Sequence, residues 1–426
     1  MTRRLKVAVV GASISNSPDG RERFAIRAHL PALKHLKDLY DVVAVCTTRM
    51  ETATEAARRF DVPHAFDNVE RMLRELPEID VVCVAVRPVI HHQVVMSALR
   101  AGKHVYCEQP LGVSTAQAQE MFELARAKGV RTVVGHQHHY DPAALQMADM
   151  VKQGYIGKPL AFSSSSFGPN HIAPRPSHRT WLFQQESCGH PGFRSMHSLE
   201  RVISVLGDVD EVCADMRVLV PERQSLDGGP PLRTTQVNNL NFLLRVGEDV
   251  MGTLQVSLTA WFGTGWIFQV YGTEGMLMVK VEDAPDRAKD SVKGDPRSGE
   301  LKLYGARIDL QAYIAHPVAP ELLQREFREI PLEDRHFYVS GVDHGRATFP
   351  VAQMWHAFAH AIQSGTECAP SFRDELKMHY TMDATEVSMR ERRWVKVDYS
   401  KLAEPGHGGE QTARQAAEAI VNQESA

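Results

Sequence analysis

The sequence predicts an α/β protein: a doubly wound parallel sheet over residues 1–141, an α+β domain with an open, mostly antiparallel sheet over residues 142–400, and a C-terminal tail over residues 401–426. Three observations carry this. At 426 residues the chain exceeds what one hydrophobic core organises. As far as Val134, short continuous apolar runs alternate with longer helix-period segments, as in parallel strands buried on both faces and joined by helical crossovers. Beyond Asp141-Pro142 the runs alternate polar with apolar residues, the pattern of a sheet with unequal faces.

In the first domain the strands read Leu5 to Val10, Val42 to Cys46, Val81 to Val86, His104 to Cys107 and Arg131 to Val134. Helices read Ala25 to Leu36, Glu51 to Phe60, His92 to Ala101 and Thr115 to Lys128. A helix from Ala143 to Lys152 and a Gly154-Tyr155-Ile156-Gly157 turn lead into strands at Leu160 to Ser166, Val237 to Val246, Gly252 to Thr259 and Trp266 to Tyr271. Between Val281 and Ser340, stretches rich in Asp, Lys and Gly read as an excursion or flexible insertion. Helices from Val351 to Ser364 and Asp374 to Glu391 close the fold.

Composition excludes several classes. A formal charge of -4 gives no electrostatic footprint for nucleic acid or an anionic membrane. No run approaches the ~18 apolar residues of a membrane span, and the basic start Met1-Thr2-Arg3-Arg4 precedes an apolar run too short for an export signal. The six cysteines stand singly, without metal-ligand spacing, as buried thiols of a reducing cytoplasm would. In His136-x-His138-His139, read on a strand end, the third histidine points away from the first two, and no further ligand is spaced to complete a zinc shell, so no metal is expected.

The first strand ends at Gly11, with Ser13 and Asn16 where a dinucleotide-binding turn carries its second and third glycines. At the end of the second strand, where an acid commonly binds the adenosine ribose, the chain has Thr47-Thr48-Arg49. With no carboxylate to repel a 2'-phosphate and an arginine to pair with it, this favours NADP over NAD.

Specific resemblance begins at Ala101-Gly102-Lys103-His104-Val105-Tyr106-Cys107-Glu108-Gln109-Pro110. This segment resembles the AGKHV-x-CEKP signature of the Gfo/Idh/MocA oxidoreductases. Gly135 to Pro142, Gly154 to Gly157, Gly272-Thr273-Glu274-Gly275 and Pro370-Ser371-Phe372-Arg373-Asp374 resemble further family segments in the same order. The resemblance implies a Rossmann domain followed by an open-sheet domain, with a sugar, inositol or related polyol, or its keto form, held over a nicotinamide. It implies coenzyme contacts at Arg87, His91, Glu108 and Pro110, with a cis peptide before Pro110 aiming residue 109 into the cleft. It also implies a homo-oligomer, a dimer or tetramer.

Two of the three family catalytic positions differ. Gln109 stands for the lysine and Phe193 for the aspartate, while His197 is kept. Removing hydride from an alcohol needs a base and a stabiliser for the developing alkoxide. His197 is the expected base, and Gln109 can donate only a neutral hydrogen bond. His138, His139, Tyr140, Trp181 and Arg194 are the candidates for contacting substrate. The altered site is similar to the branch containing the fungal galactose-pathway repressor. The alternatives to a dehydrogenase are therefore a non-catalytic nucleotide- and ligand-binding regulator, or a redox-neutral hydrolase or lyase with retained cofactor.

Overall fold

The computed structural model describes residues 3–14, 23–281, 300–317, 327–344 and 347–402. Six short strands, β1 (Leu5–Val10), β2 (Tyr40–Cys46), β3 (His64–Phe66), β4 (Val81–Val84), β5 (His104–Cys107) and β6 (Thr132–Val134), pair in the order β3-β2-β1-β4-β5-β6, all parallel. That is the order of a dinucleotide-binding sheet, with its crevice where the order reverses beside β1. The crossovers are α1 (Leu30–His35), α2 (Met50–Phe60), α3 (Val69–Glu75), α4 (Pro88–Arg100) and α5 (Thr115–Lys128). Their ends are chemically marked. Ser114 accepts the Gln117 N–H ahead of α5, and Gly129 takes the left-handed conformation behind it at φ 64°. Ahead of α1 the chain makes a π-helical turn, Ala25–His29, which places His29 inside the core.

The second lobe holds α6 (Pro142–Lys152), β7 (Pro159–Phe167), α7 (Gln185–Cys188), α8 (Met196–Leu206), β8 (Val209–Arg217), a small hairpin of β9 (Glu222–Arg223) and β10 (Leu232–Arg233), β11 (Asn239–Val246), β12 (Val250–Ser257), β13 (Gly265–Gly272) and β14 (Gly275–Val281). β15 (Leu301–Arg307), α9 (Leu310–Ala315) and β16 (Arg328–Glu329) follow. Then come α10 (Thr348–Ser364), α11 (Phe372–Glu391) and β17 (Val395–Lys396). The large sheet runs β16-β15-β14-β13-β7-β12-β11-β8-β17, antiparallel except for the β12–β7 pair. In β11 burial alternates strictly: Leu240, Phe242, Leu244 and Val246 face the core, and Asn241, Leu243 and Arg245 face outward.

Two sequence expectations change here. The stretch from Val281 to Ser340, read as an excursion, contributes β15, which pairs along β14 and buries Leu301 and Leu303; residues 282–299 and 318–326 lie outside the described residues. The expected domain boundary is also crossed, because α10 packs on the first lobe: Phe349, Val351, Trp355 and Phe358 join the core that holds Val7, Ile26 and Tyr40. α11 belongs to both lobes, with Phe372, Leu376 and Tyr380 in the core beneath α4 and α5, and Met378 and Met382 in the core of the large sheet. A capping box starts this helix, Ser371 accepting the Asp374 N–H and Asp374 accepting the Ser371 N–H. One helix therefore packs against both lobes. Of the expected tail, residues 403–426 lie outside the described residues.

Candidate active site between the lobes

At the carboxyl end of β1, Gly11 adopts φ 102°, and a Cβ there would lie 2.3 Å from the Ala85 carbonyl oxygen. Only glycine fits where the turn passes the end of β4 so closely. Ser13 is half-buried on the loop beyond, and Asn16 lies outside the described residues. Thr47 is buried, its hydroxyl donating 2.7 Å to the Arg49 carbonyl, so it shapes the turn after β2. Thr48 and Arg49 remain exposed there. Arg23 and Arg87 stand near each other at this mouth; burial, together with the charge of Arg87, holds the Arg23 guanidinium below its ordinary pKa. The Gly11 turn and these cationic side chains suit the backbone approach and phosphate charge of a dinucleotide.

The turn after β5 carries the signature residues. The Gln109–Pro110 peptide is cis. Gln109 Nε2 donates 3.1 Å to the Phe193 carbonyl, joining the turn to the second lobe. Glu108 accepts from Gln137 Nε2 at 2.9 Å, and its Oε1 lies 3.0 Å from His29 Nε2. Trp355 Nε1 donates 3.1 Å to His29 Nδ1, which leaves Nε2 as the proton-bearing nitrogen toward Glu108. Gly135 makes room for this carboxylate, since a Cβ there would stand 2.5 Å from Glu108 Oε1. His91, expected as a coenzyme contact, is fully buried with Nδ1 2.8 Å from the Pro110 carbonyl. It supports the signature turn from behind.

The histidine-rich segment is not the expected strand end. Gln137–Tyr140 forms a 3-10 turn, which sends its side chains in different directions. His136 Nε2 lies 2.7 Å from Glu375 Oε2, both groups buried. Burial alone would lower the His136 pKa, but the Glu375 carboxylate raises it above its ordinary value. His139 pairs with Glu200 at 2.6 Å, and Arg201 donates to the His138 carbonyl. Tyr140, expected against substrate, is instead a core residue: it is buried, and its hydroxyl meets the Cys368 thiol at 3.4 Å.

His197 opens α8, half-buried, and its ring stands edge-on to His136 with centroids 5.0 Å apart. Arg194 is half-buried one turn earlier, its guanidinium 5.4 Å from the ring of Phe193. Trp181 stands half-buried on the second lobe with the Arg87 guanidinium of the first lobe 5.6 Å from its ring. The segments between the lobes thus carry an imidazole, a carboxamide, an indole and guanidinium groups, side chains of the kinds that move a proton and hold an oxygen-rich molecule by hydrogen bonds and stacking.

Glu375, His379, Glu386, Gln137 and Arg201 escaped sequence reasoning. A signal existed for the first three, because Glu375, His379, Asp383 and Glu386 fall on one stripe of a helix that is otherwise mostly apolar or small on its buried faces.

Glu200 gives the site an acid sensitivity. Burial alone would push its carboxyl up, but His139 and then Arg201 hold it down at about 2 against an ordinary 4.5. A depressed acid stabilises the fold above pH 4.5, and that contribution is lost as pH falls toward 2, a total of about 3 kcal/mol. Glu200→Gln is therefore expected to flatten the decline of unfolding free energy below pH 4.5, measured by urea denaturation across pH. An unchanged slope would locate the acid sensitivity elsewhere.

A model of an oxidoreductase family with an NAD-binding Rossmann fold matches residues 5–136, and a model of the GFO/IDH/MocA C-terminal domain matches residues 144–278. Levoglucosan dehydrogenase of Pseudarthrobacter phenanthrenivorans is 25% identical over 364 residues, 82% of this chain and 87% of that protein. Myo-inositol 2-dehydrogenase of Thermotoga maritima is 26% identical over 250 residues, 58% of this chain and 70% of that one. Among solved structures, levoglucosan dehydrogenase in complex with NADH and levoglucosan superposes with TM-score 0.74 at 22% identity, covering 93% of this chain and 100% of that one. A super-repressor mutant of Gal80p from Saccharomyces cerevisiae gives 0.75 at 16% identity, covering 94% and 100%. Together the two family models span more than half of the sequence, and this chain is a member of the Gfo/Idh/MocA family of NAD-binding oxidoreductases.

Proposed function

We propose that this protein is an NAD(P)-dependent dehydrogenase or reductase acting on a hydroxyl or keto group of a sugar-like or cyclic polyol, with NADP preferred and His197 as the proton acceptor. The observation that carries this is the half-buried His197 at the start of α8, backed by the buried His136–Glu375 pair. A bound nicotinamide supplies the hydride acceptor or donor. Gly11, Ser13, Thr48, Arg49, Arg23 and Arg87 are the residues that would hold such a coenzyme. Levoglucosan and inositol, named for two relatives, both offer a ring secondary hydroxyl, which is the substrate class this cleft suits.

His197 takes the hydroxyl proton, and Gln109 and Arg194 orient or stabilise the developing alkoxide. Trp181 gives a face for the apolar side of a ring, and His138, on the 3-10 turn after β6, offers a further polar group. The exposed apolar residues Leu160, Leu243, Met251 and Tyr271 on the outer face of the large sheet support assembly into a dimer or larger homo-oligomer. The six free thiols fit a reducing cytoplasm.

One observation favours a second reading, a nucleotide- and ligand-binding regulator. Gln109 brings no charge to the lysine position, and its amide is engaged by the Phe193 carbonyl.

Fluorescence titration with NADPH and NADH tests the coenzyme. NADPH is expected to bind about tenfold tighter, the worth of one charge-assisted phosphate contact, and Arg49→Glu to reverse the order. Equal affinities in both proteins would remove the NADP preference. A polyol panel followed at the reduced-nicotinamide absorbance then separates the readings: turnover selects the dehydrogenase, and binding without turnover selects the regulator.

A further inference from the structure

Behind the site, four more titratable side chains continue from His136 to the surface. His136 Nε2 lies 2.7 Å from Glu375 Oε2. The other oxygen of this carboxylate, Oε1, accepts the Leu111 N–H at 3.2 Å and lies 3.9 Å from His379 Nε2. His379 Nδ1 is 3.0 Å from His190 Nε2, and His190 Nδ1 is 2.8 Å from Glu386 Oε1. His136, Glu375 and His379 are at most 1% exposed, His190 is 7% exposed, and the Glu386 side chain reaches 37%, so the line leads from the closed interior to water. Thr115 Oγ1 and Asp383 Oδ1 are the other polar groups facing His190, at 3.2 and 3.8 Å from its Nε2.

The hydrogen-bond roles along this line are constrained. With Glu386 ionised, His190 Nδ1 donates to it, so a neutral His190 accepts at Nε2 from His379 Nδ1. His379 Nε2 is then a lone pair turned toward a carboxylate, which accounts for the 3.9 Å separation and for this buried nitrogen having no hydrogen-bond partner. His136 Nδ1 is likewise buried without a hydrogen-bond partner, on the ring that His197 meets edge-on at 5.0 Å. A core built only for packing gains nothing from two buried ring nitrogens left without a hydrogen bond. Both lie where a proton travelling along the line would have to be received.

We infer that His136, Glu375, His379, His190 and Glu386 form a proton-transfer chain between His197 and the solvent. This rests on the dehydrogenase reading of the cleft. In the oxidising direction the substrate C–H bond breaks with its electron pair leaving as hydride, and the O–H proton goes to His197. With His136 neutral, and with the two rings, which share no hydrogen bond in this structure, turned into one, His197 passes a proton to His136 Nδ1, and His136 gives its Nε2 proton to Glu375. Glu375 holds that proton on Oε2, its carboxyl turns to close the 3.9 Å gap and present the proton to His379 Nε2, the Nδ1 proton of His379 moves to His190 Nε2, and the Nδ1 proton of His190 leaves through Glu386. The alcohol thereby yields ketone, hydride and one proton in bulk water, and reduction runs the line backward. Each ring accepts at one nitrogen while releasing at the other, so His379, whose pKa burial pushes well down, need never hold the charge. Such a chain lets a cleft filled by coenzyme and substrate exchange its proton without opening. The five residues do not touch substrate; they act through His197.

Exchange of the His136 ring N–H with water, read by nitrogen-15 histidine NMR on the full chain, tests the line without turnover. His379→Gln and His190→Gln keep a hydrogen-bonding side chain but cannot relay, and each is expected to slow that exchange about tenfold or more. Glu386→Gln, at the surface, tests the same line without disturbing the core and is expected to slow it in the same direction. In steady state the variants should lose a similar factor in kcat with KM unchanged, show a larger solvent isotope effect, and recover rate with added imidazole. Exchange equally fast in the wild type and in Glu386→Gln, or a kcat loss that neither imidazole nor deuterium modulates, would overturn the chain and leave these residues a structural role. Failure of the wild type to turn over any polyol would sink the dehydrogenase reading, and the NMR exchange would still decide the chain.

Discussion

Replacing His197 by glutamine is expected to lower kcat for polyol oxidation by about 10²- to 10⁴-fold, the usual worth of a positioned general base. Coenzyme affinity should stay within about twofold, because the cationic mouth formed by Arg23, Arg49 and Arg87 lies on the other lobe. The size of the effect follows from what else the cleft contains. Gln109 is a neutral carboxamide that cannot serve as a base, and its amide is already engaged by the Phe193 carbonyl. Tyr140 is withdrawn into the core on Cys368, and His139 is paired with Glu200. His136 stands behind the His197 ring at 5.0 Å, too deep to take over contact with substrate. A loss below threefold would move the base to another residue. Loss of coenzyme binding together with rate would instead mark His197 as part of the nucleotide site.

The parts of the molecule that rest on local periodicity were legible. β5 and α5 have the boundaries read from the sequence, because His104–Cys107 is a continuous apolar run and Ser114 and Gly129 mark the helix ends with their own chemistry. β3 was not, being three residues long with only Phe66 buried, too short for any pattern. β15 was hidden for a different reason: it lies between stretches of loop composition, and only the partner strand β14 reveals that Leu301 and Leu303 face a core. The site divides the same way. Position 197 could be found because a motif places it, and Gln109 because it breaks one. The roles of His91 and Tyr140 could not be found, since each depends on a contact 19 or 228 residues away in the chain, to Pro110 or Cys368. The buried partners of the histidines sit on α11, more than 180 residues beyond His190, and no spacing rule connects the two segments.

Glu375→Ala is expected to be the most destabilising single change near the site, at about 3–5 kcal/mol, measured as the loss of unfolding free energy in urea. The carboxylate is fully buried and accepts two bonds, from His136 Nε2 at 2.7 Å and from the Leu111 N–H at 3.2 Å. Truncation leaves both donors without a partner, and one of them belongs to a histidine that this carboxylate favours in its charged form. The position compounds the loss, because α11 is the helix shared by both lobes and Leu376 beside Glu375 is fully buried in the first-lobe core. Glu375→Gln should cost far less, since a carboxamide can accept from one of the two donors while filling the same volume. The two variants also differ from wild type in pH dependence. A histidine whose pKa is raised on folding stabilises fully below its unfolded value of 6.5, and that contribution is lost as pH rises through the higher folded value. The gap between wild type and Glu375→Gln should therefore be widest below pH 6.5 and narrow toward alkaline pH. This is the reverse of the trend expected for Glu200, whose contribution disappears on acidification, so a single pH series on the two variants separates the pairs. A gap that stays constant from pH 5 to 9 would mean that His136 is neutral in the folded protein, and that Glu375 acts there only as a hydrogen-bond acceptor.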